Sequence, residues 1–177
     1  MGEGGKILGI ATRRGAYYPT DGMVSAFTKI KEAVEEVIAQ AGITREQIGT
    51  AIAGITGIDW QGDEEKVTEE LKKILEISDL HAYNNAVIAL YCVEEGKGDM
   101  VLCAGTGMNA AVRDGEESYF VFGDYIEESM QGGSALARRS IRRVFDAKTG
   151  LGPDTKLTEL FLQFSGEISV DRLLRRY

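Results

Sequence analysis

The sequence predicts an α/β protein whose first half is a parallel sheet with crossover helices and whose second half opens as an antiparallel meander. Two observations carry this reading. Up to Glu94, short apolar runs alternate with segments of helical periodicity in the order β-α-β-α-β-α. That order builds parallel strands joined by helices. From Met100 onward, three strand-like runs follow one another with no helix between them. Short turns join such runs as antiparallel neighbours.

Each element has its own justification. Lys6 to Thr12 alternates enough for a strand, and Arg13 to Gly22, with glycine, proline and aspartate, reads as a loop. Between Met23 and Ala41, residues Val24, Phe27, Ile30, Val34, Val37, Ile38 and Ala41 recur at spacings of three and four. That is one helical stripe, and Gly42 stands where such a helix ends. Thr50 to Ile55 is a short strand of β-branched and small residues. Asp63 to Leu75 is a helix with acids in its first turn, where they suit the helix dipole. Leu80 to Tyr83 is a third strand and Asn85 to Glu94 a helix. A Gly96-Lys97-Gly98 linker then precedes strands at Met100 to Ala104, Asn109 to Arg113 and Ser118 to Phe122, with a turn at Asp114-Gly115. Ser134 to Ala147, Leu157 to Phe164 and Val170 to Tyr177 read as helices. The change from alternation to meander places a domain boundary near Gly96, giving domains 1–96 and 97–177.

Composition excludes several function classes. The 177 residues carry 20 basic and 28 acidic side chains, a net charge of −8, which argues against nonspecific nucleic-acid binding. The arginines gather late, at Arg138, Arg139, Arg142, Arg143, Arg172, Arg175 and Arg176, and read as the solvated faces of two helices. Cys92 and Cys103 each stand in an apolar setting, as buried free thiols of a reducing compartment would. His81, the single histidine, makes neither a triad nor a metal cluster and reads as structural. No targeting segment or apolar run of membrane length is evident, so a cytoplasmic protein is expected.

The residues that could carry chemistry lie at element ends. Between two strand-like runs stands Gly105-Thr106-Gly107. Two glycines let a tight turn take positive φ and bring N–H groups close to a ligand, and Thr106 adds a hydroxyl. The plain alternative is an ordinary hairpin turn. Gly132-Gly133-Ser134 opens a helix, where free N–H groups favour an anion. Ser134 is equally a candidate N-cap. Asp59 and Trp60 follow Gly54-Ile-Thr-Gly57 beyond the carboxyl end of a strand, the usual place for ligands in open α/β sheets. Asp59 could hold a ligand hydroxyl or metal-held water and Trp60 could stack on a ring, or both could be loop residues starting the next helix. Asn84-Asn85 join a strand to a helix, and an asparagine there fills an N-cap well.

Four blocks in order resemble one family: Ala51-Ile-Ala-Gly-Ile-Thr-Gly-Ile-Asp-Trp60, Ala82-Tyr-Asn-Asn-Ala-Val-Ile-Ala-Leu90, the Gly-Thr-Gly hairpin, and Gln131-Gly-Gly-Ser-Ala-Leu-Ala-Arg-Arg-Ser140 running on toward Gly150-Leu-Gly-Pro-Asp-Thr-Lys-Leu-Thr158. Together they resemble the BadF/BadG/BcrA/BcrD ATPase family, which also contains N-acetylglucosamine kinases. The resemblance implies two ribonuclease-H-like domains of the actin-like ATPase superfamily closing on ATP and Mg²⁺. It implies phosphates at Gly105, Thr106 and Gly107, with Gly133 and Ser134 also on the nucleotide side, and an amino sugar near Asp59, Trp60 and Asn84. Members open with an Asp-Gly-Gly-Gly-Thr-Lys-Thr loop and continue into an adenosine site. This chain has neither, so it reads as an incomplete member: a fragment, a split gene product or a shortened homologue. In the sugar kinases the position of Asn85 holds the aspartate that takes the sugar proton. An amide has no such basicity. Near Gly123-Asp124 the kinases have Gly-Asp-Glu-Gly-Ser, which marks Asp124 as a second catalytic candidate. Three functions follow as expectations: ATP-dependent phosphoryl transfer or ATP hydrolysis in a complete parent, with this chain alone inactive; a binding or regulatory module for a sugar or nucleotide that has lost its carboxylate; or a structural piece. Open sheet edges left by the absent strands favour a homodimer.

Overall fold

A computed structural model describes residues 1–92, 100–113, 118–125 and 131–176. It forms two compact units, Met1–Val101 with Ala110–Gly123 and Leu102–Asn109 with Asp124–Tyr177. The described strands are β1 (Ala51–Ile55), β2 (Leu80–Asn84), β3 (Met100–Ala104), β4 (Met108–Arg113) and β5 (Tyr119–Val121). The helices are α1 (Tyr18–Asp21), α2 (Met23–Ala41), α3 (Asp63–Leu75), α4 (Asn85–Leu90), α5 (Gly132–Thr149), α6 (Leu157–Ser165) and α7 (Val170–Arg176). This is the mixed α/β architecture that the strand and helix order predicts.

In the first unit β1 and β2 pair in parallel, from Ala51 opposite Leu80 to Ile55 opposite Asn84. Pleating sends Leu80, Ala82 and Asn84 to the same face, and all three are buried. That face meets Val67, Leu71 and Leu75, a three-to-four-residue stripe on α3, together with Ala26 and Phe27 of α2. Burying each such leucine or phenylalanine contributes about 1.5–3 kcal/mol. The α3 helix also protects one sheet edge, because the Ala82 N–H donates to Thr68 Oγ1 at 3.0 Å. Helix α2 ends at Gly42 in the left-handed conformation, its N–H bonded back to Ala39 and Ile38. The second sheet has the order β3-β4-β5, with β4 and β5 antiparallel from Ala111 opposite Val121 to Arg113 opposite Tyr119. In the second unit Ile141, Val144 and Leu173 form a smaller core with Phe145, Leu157, Phe161 and Leu162.

Several expectations are corrected. Lys6 to Thr12 forms no strand. It runs along α2 instead, where the Ile10 N–H donates to Gln40 Oε1 at 2.9 Å. A Cβ on Gly9 would stand 3.0 Å from Gln40 Cβ and 3.1 Å from the Val37 carbonyl, so the segment has taken the helix surface as its neighbour rather than a ladder. The Arg13 to Gly22 loop contains the short helix α1, started by Pro19 at its first turn. Cys92 and Cys103 are free thiols, but Cys92 is exposed and Cys103 half-buried. Helix α4 ends at Leu90, capped by Tyr91, and Tyr91 and Cys92 form a turn rather than the expected helix; residues 93–94, the Gly96 boundary and the Asp114-Gly115 turn lie outside the described residues. The seven late arginines are all exposed on α5 and α7. Among the described residues no helix is long and apolar enough to cross a membrane.

Candidate functional site

Two constellations collect the candidate residues, one in each unit. The first lies beyond the carboxyl ends of β1 and β2. There Asn84 is 1% exposed and fully engaged. Its Nδ2 donates to the Ile58 carbonyl and to Asp59 Oδ1, both at 2.8 Å, and its Oδ1 accepts from the Ala86 N–H at 2.8 Å. The last bond makes Asn84, not Asn85, the N-cap of α4. Asn85 occupies the first helical position, and its Oδ1 is buried with no hydrogen-bond partner among the described residues. A buried acceptor left in that state costs about 1–3 kcal/mol, which a ligand donor would recover. Trp60 stands in the loop after β1, 61% exposed, with its N–H donating to Asp63 Oδ2 at 3.2 Å.

Sequence reasoning missed Tyr18 in this constellation. Its hydroxyl donates to the Gly57 carbonyl in a short bond. Gly57 has φ +96, and a Cβ there would stand 2.7 Å from Pro19 Cγ. Only glycine therefore fits beneath the Tyr18-Pro19 step. Burial, with Asp63 and Asp59 nearby, pushes the Tyr18 hydroxyl up to about 12. The Tyr17-Tyr18-Pro19 run inside a loop was the available signal.

The second constellation joins the Gly105-Thr106-Gly107 turn to the start of α5. The Gly133 N–H donates to the Gly105 carbonyl at 2.8 Å and the Ser134 N–H to the Thr106 carbonyl at 2.9 Å. Two of the helix N-terminal donors expected for an anion are thus spent on the turn. Ser134 is not the N-cap, since the helix begins at Gly132 after Gln131. The expected positive φ at Gly105 and Gly107 is also absent. Among these glycines it falls on Gly132, with φ +74. A Cβ on Gly132 would lie 2.5 to 2.7 Å from the Gly107 backbone, so the special glycine is the one that lets helix and turn touch. Beside Gly105 and Gly107 a Cβ would meet nothing within 4 Å. The N–H groups of Thr106 and Gly107 and the Thr106 hydroxyl have no hydrogen-bond partner among the described residues. This leaves an open turn with outward donors, a geometry that cradles anionic oxygens. Asp124 lies in a 3₁₀ turn at Gly123–Tyr125 in the chain just before α5.

The candidates therefore sort into two groups. Asp59, Trp60, Asn84 and Asn85 come together in the first unit, and Gly105, Thr106, Gly107, Gly133 and Ser134 in the second. His81 stands apart on β2, its Nε2 2.9 Å from Asp79 Oδ1. No group of three or more His, Cys, Asp or Glu among the described residues could hold a metal ion.

Comparison with known proteins follows the same lines. Residues 1–167 match the BadF/BadG/BcrA/BcrD ATPase family. A solved structure described as a candidate N-acetylglucosamine kinase from Chromobacterium violaceum superposes with a TM-score of 0.61 at 17% identity, covering 82% of this chain and 51% of its own. Another, described as a candidate N-acetylglucosamine kinase from Porphyromonas gingivalis, gives a TM-score of 0.54 at 22% identity, covering 91% of this chain and 54% of its own. The chain thus spans about half the length of these structures. No curated protein matches.

Proposed function

The chain belongs to the BadF/BadG/BcrA/BcrD ATPase family, and from that membership we propose that it supplies a phosphate-binding turn and a ligand-hydroxyl site to ATP-dependent phosphoryl transfer. The observation that carries this is the Gly105–Gly107 turn. It is fixed by two hydrogen bonds to the start of α5, and its Thr106 and Gly107 N–H groups remain unspent. Positioning and electrostatic stabilisation dominate phosphoryl transfer, and a rigid turn offering backbone donors provides both. ATP fits this turn through its phosphates. Mg²⁺ would come as a companion of the nucleotide, because it is commonly bound through substrate phosphates and water. When bound, the ion would neutralise phosphate charge. The protein's part is to hold the phosphate oxygens at Thr106 and Gly107.

The other constellation suits a polyhydroxylated ligand such as an amino sugar, with Trp60 as a stacking surface and Asp59 and Asn85 as acceptors. Asn85 favours a second reading. It stands where the resembling kinases keep a carboxylate, and an amide cannot take a proton from a hydroxyl near neutral pH. Its unpartnered Oδ1 suits holding a donor rather than removing its proton. This supports a binding or regulatory module that retains its ligand and has lost the base. The two readings share the phosphate turn and differ in turnover.

Titration with inorganic phosphate and with an ATP analogue, followed by amide chemical shifts, tests the shared part. Shifts centred on Thr106, Gly107 and Ser134 are expected. Shifts confined to the Met23–Ala41 helix would overturn the assignment. Saturable sugar binding without turnover selects the second reading.

A further inference from the structure

Two stretches of extended backbone in the first unit lack a ladder partner among the described residues, and they complement each other. One is the outer edge of β1. The Ala51 N–H donates to the Asp79 carbonyl, so the alternate residues Ile52 and Gly54 turn their N–H and C=O groups away from β2. Ile52 is 58% exposed, and the edge carries no charged residue. The opposite sheet edge is protected by Thr68, as described above, and among the described residues β1 has no equivalent cover. The other stretch is residues 6–12, whose Ile7 and Ile10 are 62% and 68% exposed. Between α2 and the start of β1 lies an apolar groove of about 390 Å³, lined in part by Ile30, Val34, Ile38, Ile48 and Ala51. Uncharged open edges template strand addition.

We propose that the occupant of this edge and groove is the 6–12 segment of a second copy, exchanged reciprocally so that each copy's segment pairs with the other's β1. Charge complementarity selects this partner. A carboxylate stands at the amino end of β1: Asp79, bonded to Thr50 Oγ1 at 2.6 Å. The segment is bounded by Lys6 on one side and by Arg13 and Arg14 on the other. In either strand direction one cationic end of the segment comes to Asp79. Releasing Arg13 from Glu36, an exposed pair at 2.6 Å, costs at most about 1 kcal/mol. The size fits as well. The segment and the groove lining amount to about twenty residues per copy, within the 20–30 per side of a standard interface. Exchange also covers Ile7 and Ile10, which seating on α2 leaves in water.

Sedimentation of the intact chain from about 1 μM to about 1 mM, the range of weak association, reads the outcome. A concentration-dependent dimer is expected. Ile7→Pro, which removes a donor from the exposed segment, and Ile52→Lys, which charges the edge, should each weaken it at least about tenfold. Circular dichroism identical to the parent certifies that each variant is folded. If Ile52→Lys fails to fold, Ile7→Pro alone decides. The distinguishing experiment mixes the two variants. One retains an intact segment and the other an intact edge, so a heterodimer should reappear. A parent that stays monomeric throughout overturns the proposal. So does an Ile7→Pro variant that dimerises like the parent, which would mean edge-to-edge pairing, and so does a mixture that stays monomeric.

Discussion

Replacing Gly132 with alanine is the sharpest test of the helix-to-turn clamp. Gly132 holds φ +74, and a non-glycine residue in the left-handed region costs about 1–2 kcal/mol. The added Cβ would also lie 2.5 Å from the Gly107 carbonyl carbon, a contact with backbone that no side-chain rotation relieves. Turn and helix must then separate. That strains or breaks the Gly133-to-Gly105 and Ser134-to-Thr106 hydrogen bonds, each contributing about 0.5–1.5 kcal/mol net. The total is a loss of about 2–5 kcal/mol, a large share of an ordinary domain's stability of about 5–15 kcal/mol. Gly105→Ala and Gly107→Ala are the internal controls. Their Cβ atoms would meet nothing and neither residue has positive φ, so each should cost less than about 1 kcal/mol. Urea unfolding followed by circular dichroism gives the three values under one protocol. A Gly132→Ala cost below about 1 kcal/mol, or one equal to that of Gly105→Ala, would refute the clamp. The controls carry a second reading. A methyl at Gly107 projects into the space that an anion would use, so phosphate shifts at Thr106 should weaken while stability holds.

Three further outcomes are expected. Asn84→Leu should cost about 3 kcal/mol in urea unfolding, because it removes the α4 cap and leaves the Ile58 carbonyl and the Ala86 N–H buried without their partner. Stability should fall as pH rises from about 10 toward about 12. The folded state holds the Tyr18 proton to about 12, whereas the unfolded chain releases it near the ordinary tyrosine value of about 10, so the contribution is complete below that value and lost through the window. Tyr18→Phe should flatten part of that alkaline slope in unfolding titrations. A coupled assay should find turnover of ATP or N-acetylglucosamine below about 1 s⁻¹, a typical low enzyme rate, and Asn85→Asp should not raise it above that rate. Higher turnover in the unaltered chain would overturn the reading of this chain alone as a binding module without turnover.

Much of the architecture could be read from the chain because periodicity and burial agree. The α2 stripe was legible because Phe27, Ile30 and Val34 recur at helical spacing and pack on the core, although Val24 at its start is exposed; α3 was legible in the acids of its first turn, and its buried stripe is Val67, Leu71 and Leu75. Gly42 marks its helix end by the mechanism that predicted it. The Lys6–Thr12 segment misled for a physical reason. Alternation specifies a strand only when a partner edge is within reach, and here the Gln40 side chain and the α2 backbone took that place. At the candidate sites, the structure gathers the sequence candidates into two groups, and their local structural roles differ from those expected. Neighbouring asparagines look alike in a sequence, yet register with β1 buries Asn84 and makes it the cap. Positive φ was expected inside the Gly-Thr-Gly turn, but the residue that needs it is Gly132, in a helix that meets the turn only in three dimensions. Tyr18 went unnoticed because its partner, Gly57, is 39 residues away.

Trp60 has a practical consequence. It is the chain's single tryptophan, and it stands exposed in the loop that carries Asp59, one hydrogen bond from Asn84. Every photon of indole emission therefore originates beside one of the two candidate constellations and nowhere else. A ring in water emits at long wavelength, and covering it by a stacked ligand shifts the emission to the blue. The protein thus carries an intrinsic optical probe, free of labels, that reports on ligands seated at the strand ends of the first unit.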